Sequence, residues 1–147
     1  MKTKKLKLCL KAVPQPSCAS TALLLLRLVV GAAFVLHGWG KIQNPMGWMG
    51  PQAPVPGVFQ LLAAIAEFGG GIGLILGLIT PLAALGIACT MAVAVLTHLT
   101  VMKDPFVNAT GGSSYELASV YLSISILLLM VGPGRFSLDS KVFGERK

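Results

Sequence analysis

Charge is scarce in this chain. Only five of its 147 residues are acidic, and charged residues of both signs make up 12%, against roughly 25% in an average soluble domain. A soluble globule of this length cannot clothe its surface with so few, which excludes an ordinary soluble enzyme. A disordered chain is excluded by the same apolar balance. Cysteine is scarce too: Cys9, Cys18 and Cys89 form no CxxC pair, so no disulfide-stapled secreted domain is expected. Cys89 lies in an apolar run and reads as a small core residue. Helical metal spacings such as His-x-x-x-His and Glu-x-x-His are missing, so no metal site is assigned. No Gly-Lys-Ser/Thr follows the glycine cluster at 69–73, which excludes a phosphate loop. Aromatic residues, 7% of the chain, do not interleave with basic ones as a base-stacking surface requires, so nucleic acid is not an expected partner.

What is present is apolar: hydrophobic residues are 54% of the chain and mean hydropathy is +0.78. Four apolar runs stand out, at 21–40, 58–78, 81–101 and 115–132. Each is close to the ~20 residues an α-helix needs to cross ~30 Å of hydrocarbon. Barrel strands would be about half as long and would alternate. The expected fold is therefore an all-α, integral membrane four-helix bundle over 21–140, preceded by a basic tail at 1–20 and followed by a short one at 141–147. Arg27 interrupts the first run and no small-residue cleavage site follows it, so this run reads as a retained helix, not a signal peptide.

The connections agree. The segment 41–57 holds four prolines and three glycines and reads as an irregular loop. Ile79-Thr80 before Pro81 reads as a tight hairpin, with Thr80 as N-cap and Pro81 as first helical residue. The segment 102–114 is a second polar loop, and Gly132-Pro133-Gly134 ends the fourth helix. Nine of the twelve basic residues lie before the first apolar run or after the fourth. The positive-inside rule then places both termini in the cytoplasm, in a plasma or bacterial inner membrane, with the long loops outside. The basic tails would meet anionic lipid headgroups.

Ionisable groups inside spans are costly and mark function. Counting ~1.5 Å per residue, His37, His98 and Glu116 fall near the outer ends of three helices, and Glu67 lies roughly 14 Å below the outer end of the second. Lys41 and Tyr115 border that level. The expectation is one outward-facing polar pocket. In it Glu67 and His98 are the proton-handling, catalytic candidates, and Arg27, His37, Lys41, Tyr115 and Glu116 are the ligand-binding candidates. Arg27 stands nearer the inner end, where it either snorkels to headgroups or balances Glu67. In the second helix, Gly69, Gly73 and Gly77 repeat every four residues and predict close approach of another helix.

These residues also resemble a known family. Leu26-Arg27 with Gly31, Phe34, His37-Gly38 and Lys41 form one matching stretch. Others are Glu67 with Gly70 and LILGLIT-P at 74–81, Met91 with His98, Gly112 with Tyr115-Glu116, and GPGRFSLD at 132–139. Over about residues 20–140 the chain resembles the DoxX family of small bacterial membrane proteins; its lysine-rich N-terminal tail lies outside the match. The resemblance implies a membrane bundle with an oxidoreductase role. The pocket chemistry suits a quinone headgroup or a small reductant, because His and Glu supply hydrogen bonds and a proton route. The alternative is a non-catalytic subunit that docks on a redox protein partner or on a second copy of itself, through its glycine and serine faces.

Overall fold

The computed structural model describes residues 13–53 and 55–144. The expectations placed on Lys2, Lys4, Lys5, Lys7, Cys9, Lys11, Arg146 and Lys147 lie outside them. Every regular element among the described residues is helical.

Helix α1 spans Ser17–Gln43 and overruns its apolar run at both ends. Pro16, in extended conformation, precedes it, and Asn44-Pro45 ends it, since the residue before a proline avoids the α region. Helix α2 covers Gly57–Leu76 and α3 covers Thr80–Met102; with α1 these are long and apolar enough to cross a membrane. Helix α4, Glu116–Val131, has 16 residues and is about 24 Å long, a shorter apolar helix. A further short helix, α5 (Leu138–Phe143), has no counterpart among the four apolar runs.

Two helices depart from regular α geometry at an ionisable residue. In α2, Ile65–Gly69 is a π-turn that contains Glu67. In α3, the last turn His98–Met102 is a π-turn that begins at His98. Such turns insert one extra residue into the helix and are frequent at functional sites.

The helices pack in chain order, α1 on α2, α2 on α3 and α3 on α4. Helices α1 and α4 meet chiefly through side chains, with the Phe34 and Tyr121 rings 4.9 Å apart. Phe34, Leu74, Ile87 and Leu128 form the buried core between them. Of the stripe Gly69, Gly73 and Gly77, Gly73 does face another helix, an added Cβ standing 3.2 Å from Ala83 Cβ on α3, but the closest helix approach lies on a different face. A Cβ on Gly71 would stand 2.7 Å from Val35 N and 2.8 Å from Gly31 O, whereas Gly69 is exposed. Gly77 is a left-handed C-cap at φ 62° and makes no helix–helix contact of that kind.

The end of the bundle that carries the described termini is closed by residues far apart in sequence. Asp139, buried in α5, accepts hydrogen bonds from Ile79 N–H (2.6 Å) and Thr80 N–H (2.8 Å), and its own N–H donates to Gly77 O. The cap of α3 therefore comes from a carboxylate 59–60 residues away. Thr80, expected to be that N-cap, is already helical, and Ile79 precedes the helix in left-handed conformation at φ 45°. Pro81 does sit in the first turn of α3.

Arg27 belongs to this same closure. It is fully buried and donates to Leu74 O at 3.3 Å and Phe136 O at 2.5 Å, with Asp139 as the nearby opposite charge. Bare helix-end carbonyls need donors, and Arg27 supplies them to α2 and to the GPGRFSLD segment. It neither snorkels nor pairs with Glu67.

Candidate functional site

Toward the opposite, long-loop end, one face of α1 carries Phe34, His37 and Lys41 at spacings of three and four, which align on a helix surface. Helix α3 presents Met91, Ala94 and His98 with the same spacing, α4 presents Leu117, Ala118 and Tyr121, and Ser114 comes from the loop just before α4. With Glu67 from α2, these residues line one pocket of about 300 Å³. Glu67 is 2% exposed, and Lys41 Nζ donates to both of its oxygens at 2.6 Å. A buried carboxylate in an apolar bundle needs such a partner. The Lys41 ammonium also lies 4.5 Å from the centre of the Trp48 ring, a cation–π contact.

Trp48 is held in turn. Its Nε1–H donates to Gln60 O at 3.0 Å, the buried Gln60 side chain accepts from Met49 N–H, and its amide donates to Val55 O. The loop after α1 is thus tied to the start of α2, and its indole covers the ion pair. At the far wall, His98 Nδ1 shares a hydrogen bond of 2.6 Å with Asp104 Oδ2. His37 is largely exposed at the pocket edge, its ring 6.4 Å from that of Tyr121.

A second space opens from the same residues. Helices α2 and α3 are joined at the hairpin but diverge toward the long-loop end, leaving an apolar groove of about 1010 Å³. Gly69, Gly73 and Gly86 keep its floor low, and Phe59, Ile65 and Val93 are among its walls. Lys41, Glu67, Met91, Ala94 and His98 line both pocket and groove. Cys89, expected in the core, is exposed along this groove.

The site therefore gathers His37, Lys41, Glu67 and His98, and leaves three expected members elsewhere. Arg27 shares its face of α1 with Lys41 but stands fourteen residues earlier, about 21 Å along the axis. Glu116 is exposed and off the lining stripe of α4, since the residue next to Leu117 points about 100° away from it. Tyr115 packs instead at a tilt against Phe106 of the loop, with ring centres 5.2 Å apart. Tyr121, Trp48, Gln60 and Asp104 were not foreseen. The spacing Ser114, Leu117/Ala118, Tyr121 was the available signal for Tyr121; loop contacts leave no periodic signal for the others. Among the described residues no three His, Cys, Asp or Glu side chains come together as a metal-binding group.

An all-helical chain with apolar, membrane-length helices and a polar pocket near one end of the bundle is an integral membrane protein. The DoxX family model matches residues 22–100, and the chain belongs to the DoxX family. It is 34% identical over 120 residues to an uncharacterized protein of Haemophilus influenzae, covering 80% of this chain and 88% of that one. It is 33% identical over 125 residues to the inner membrane protein YqjF of Escherichia coli K12, covering 79% and 88%. No solved structure matches it.

Proposed function

We propose that this protein binds a quinone in its membrane pocket, as the membrane component of an oxidoreductase. The observation that carries the reading is the junction of two unlike spaces at Lys41, Glu67 and His98. An amphiphile with a small hydrogen-bonding ring and a long apolar tail matches both. Lys41 offers N–H donors to a ring oxygen, His98 offers a ring nitrogen to a hydroxyl of the reduced ring, and Glu67 keeps the ammonium charge in place. The groove, lined by side chains such as Ile65, Leu82 and Val93, offers an apolar bed for a tail at lipid depth. When bound, a quinone supplies two-electron chemistry; the chain's own part is to hold the ring, exclude lipid and exchange protons at His98 and Glu67.

Orientation belongs to the same proposal. With the described termini in the cytoplasm of an inner membrane, the pocket lies in the outer leaflet half, as the excess of basic residues in the tails favours. The test is equilibrium binding of decylubiquinone to the full-length protein in nanodiscs, read by quenching of tryptophan emission. Saturable binding is expected, weakened about tenfold by Glu67→Gln, the scale of one lost charge-assisted hydrogen bond. Binding that does not saturate, or that is indifferent to Glu67→Gln and Lys41→Met, refutes the proposal.

A further inference from the structure

The loop that follows α3 is folded back on the last turn of that helix at two points. Asp104 N–H donates to His98 O at 3.0 Å, and the Asp104 carboxylate meets His98 Nδ1 at 2.6 Å. The chain reaches this arrangement through Lys103 at φ 56°, a left-handed conformation that a lysine adopts at a cost. The helix itself ends in a π-turn that starts at His98. The folded-back backbone bond, the left-handed lysine and the π-turn thus converge on one imidazole. Both partners are partly shielded, with side-chain exposures of 24% for His98 and 17% for Asp104.

From this geometry we infer that Asp104 is a positioning residue that fixes the tautomer of His98, so that His98 Nε2 faces the pocket as a hydrogen-bond and proton acceptor for a ligand hydroxyl. A carboxylate only accepts, so a neutral imidazole bonded to it carries its hydrogen on Nδ1. Nε2 then keeps its lone pair, and His98 lines both the pocket and the groove. The ligand class is a dihydroxyaromatic ring, the reduced form of the quinone in the reading above, on which this inference rests. A hydroxyl hydrogen-bonds to Nε2. If its proton passes to Nε2, the imidazolium is balanced by Asp104 and the phenolate oxygen faces the Lys41 ammonium; only a proton moves. The other groups around that position are Glu67 on α2, His37 on α1 and Tyr121 on α4. Glu67 is already engaged by Lys41, so it does not compete as a base for the same hydroxyl.

The pair makes the site sensitive to the oxidation state of its ligand. A hydroquinone hydroxyl donates to Nε2, whereas a quinone carbonyl, having no hydrogen, gains nothing there. Asp104→Ala frees the ring to protonate at Nε2 and so reverses which form is matched. The experiment is nitrogen NMR of histidine-labelled, full-length protein in nanodiscs, at a pH where the ring is neutral, with His37→Gln to assign the second histidine. It is paired with binding of decylubiquinol and decylubiquinone to wild type and Asp104→Ala. The expected result is Nδ1–H in the wild type and a shift toward Nε2–H in the variant, with the ratio of ubiquinol to ubiquinone affinity falling about tenfold. An Nε2–H tautomer in the wild type, or a tautomer unmoved by Asp104→Ala, overturns the inference whether or not a probe binds. Failure of both probes to bind with the tautomer as expected leaves the positioning role standing and removes the quinone reading. An affinity ratio unmoved while the tautomer shifts overturns the assignment of Nε2 as the hydroxyl acceptor.

Discussion

A buried charge is tolerable only with its partner in place, and Glu67 and Arg27 are handled in different ways. Glu67 is matched by one flexible ammonium; Arg27 is matched by backbone carbonyls at the end of α2 and in the closing segment. Removing one member of the first pair strands the other. Glu67→Leu or Lys41→Met alone should therefore destabilise the protein by about 1–3 kcal/mol, below the value for a wholly buried pair because Lys41 reaches water. The double variant should lose less than the sum, which a double-mutant cycle on detergent melting curves reads directly. Gly77→Ala is a different case. Its backbone is left-handed and an added Cβ would run into the Arg27 guanidinium, so a loss of about 2 kcal/mol or more is expected from strain and a displaced charge together. A melting temperature unchanged in Gly77→Ala would mean that Arg27 does not hold this corner.

At the scale of the helices, the packing of α1 on α2 rests on Gly31, Gly38 and Gly71, whose added Cβ atoms would stand within 2.8 Å of the facing backbone. Gly71→Leu should cost at least the 1–3 kcal/mol typical of overpacking, whereas Gly69→Ala, beside open space, should be neutral or slightly stabilising. Equal effects in thermal melts would contradict this register. The contrast also marks what could be read in advance. Apolar runs near twenty residues long announce α1, α2 and α3, and the gathering of His37, Lys41, Glu67 and His98 follows from their similar depth. The face a residue occupies needs an unbroken helical period, and the π-turns at Ile65–Gly69 and His98–Met102 break it; of the glycine stripe, Gly73 packs on α3 while Gly69 stays exposed and Gly77 ends the helix. Glu116 was grouped by depth alone, without regard to the face it takes on α4. The Asp139 cap and the Arg27 contacts join residues 47 to 109 positions apart, and no local pattern encodes such pairs.

At the scale of the whole molecule, the order α1–α2–α3–α4 leaves two places where helices stand apart: between α1 and α4, bridged by Phe34 and Tyr121, and between α2 and α3, where the groove opens. The hairpin end is locked by Asp139 and Arg27, so opening is confined to the end that holds the pocket. A four-span topology, in which the shorter α4 also crosses, would place both termini on one side. Reporter fusions after residue 50 and after residue 147 should report opposite sides, with the C-terminal fusion cytoplasmic; the same side for both would refute the four-span topology. Headgroup in the pocket and tail in the groove together make the central claim, and photo-crosslinking with a ubiquinone analogue carrying a diazirine on its tail tests it most directly. Peptide mapping should find the label on groove residues such as Ile65, Leu82, Cys89 and Val93, with labelling suppressed by excess decylubiquinone and reduced in Glu67→Gln. Label spread over exposed apolar residues outside the groove, such as Leu36, Leu129 and Met130, and insensitive to competitor, would contradict it.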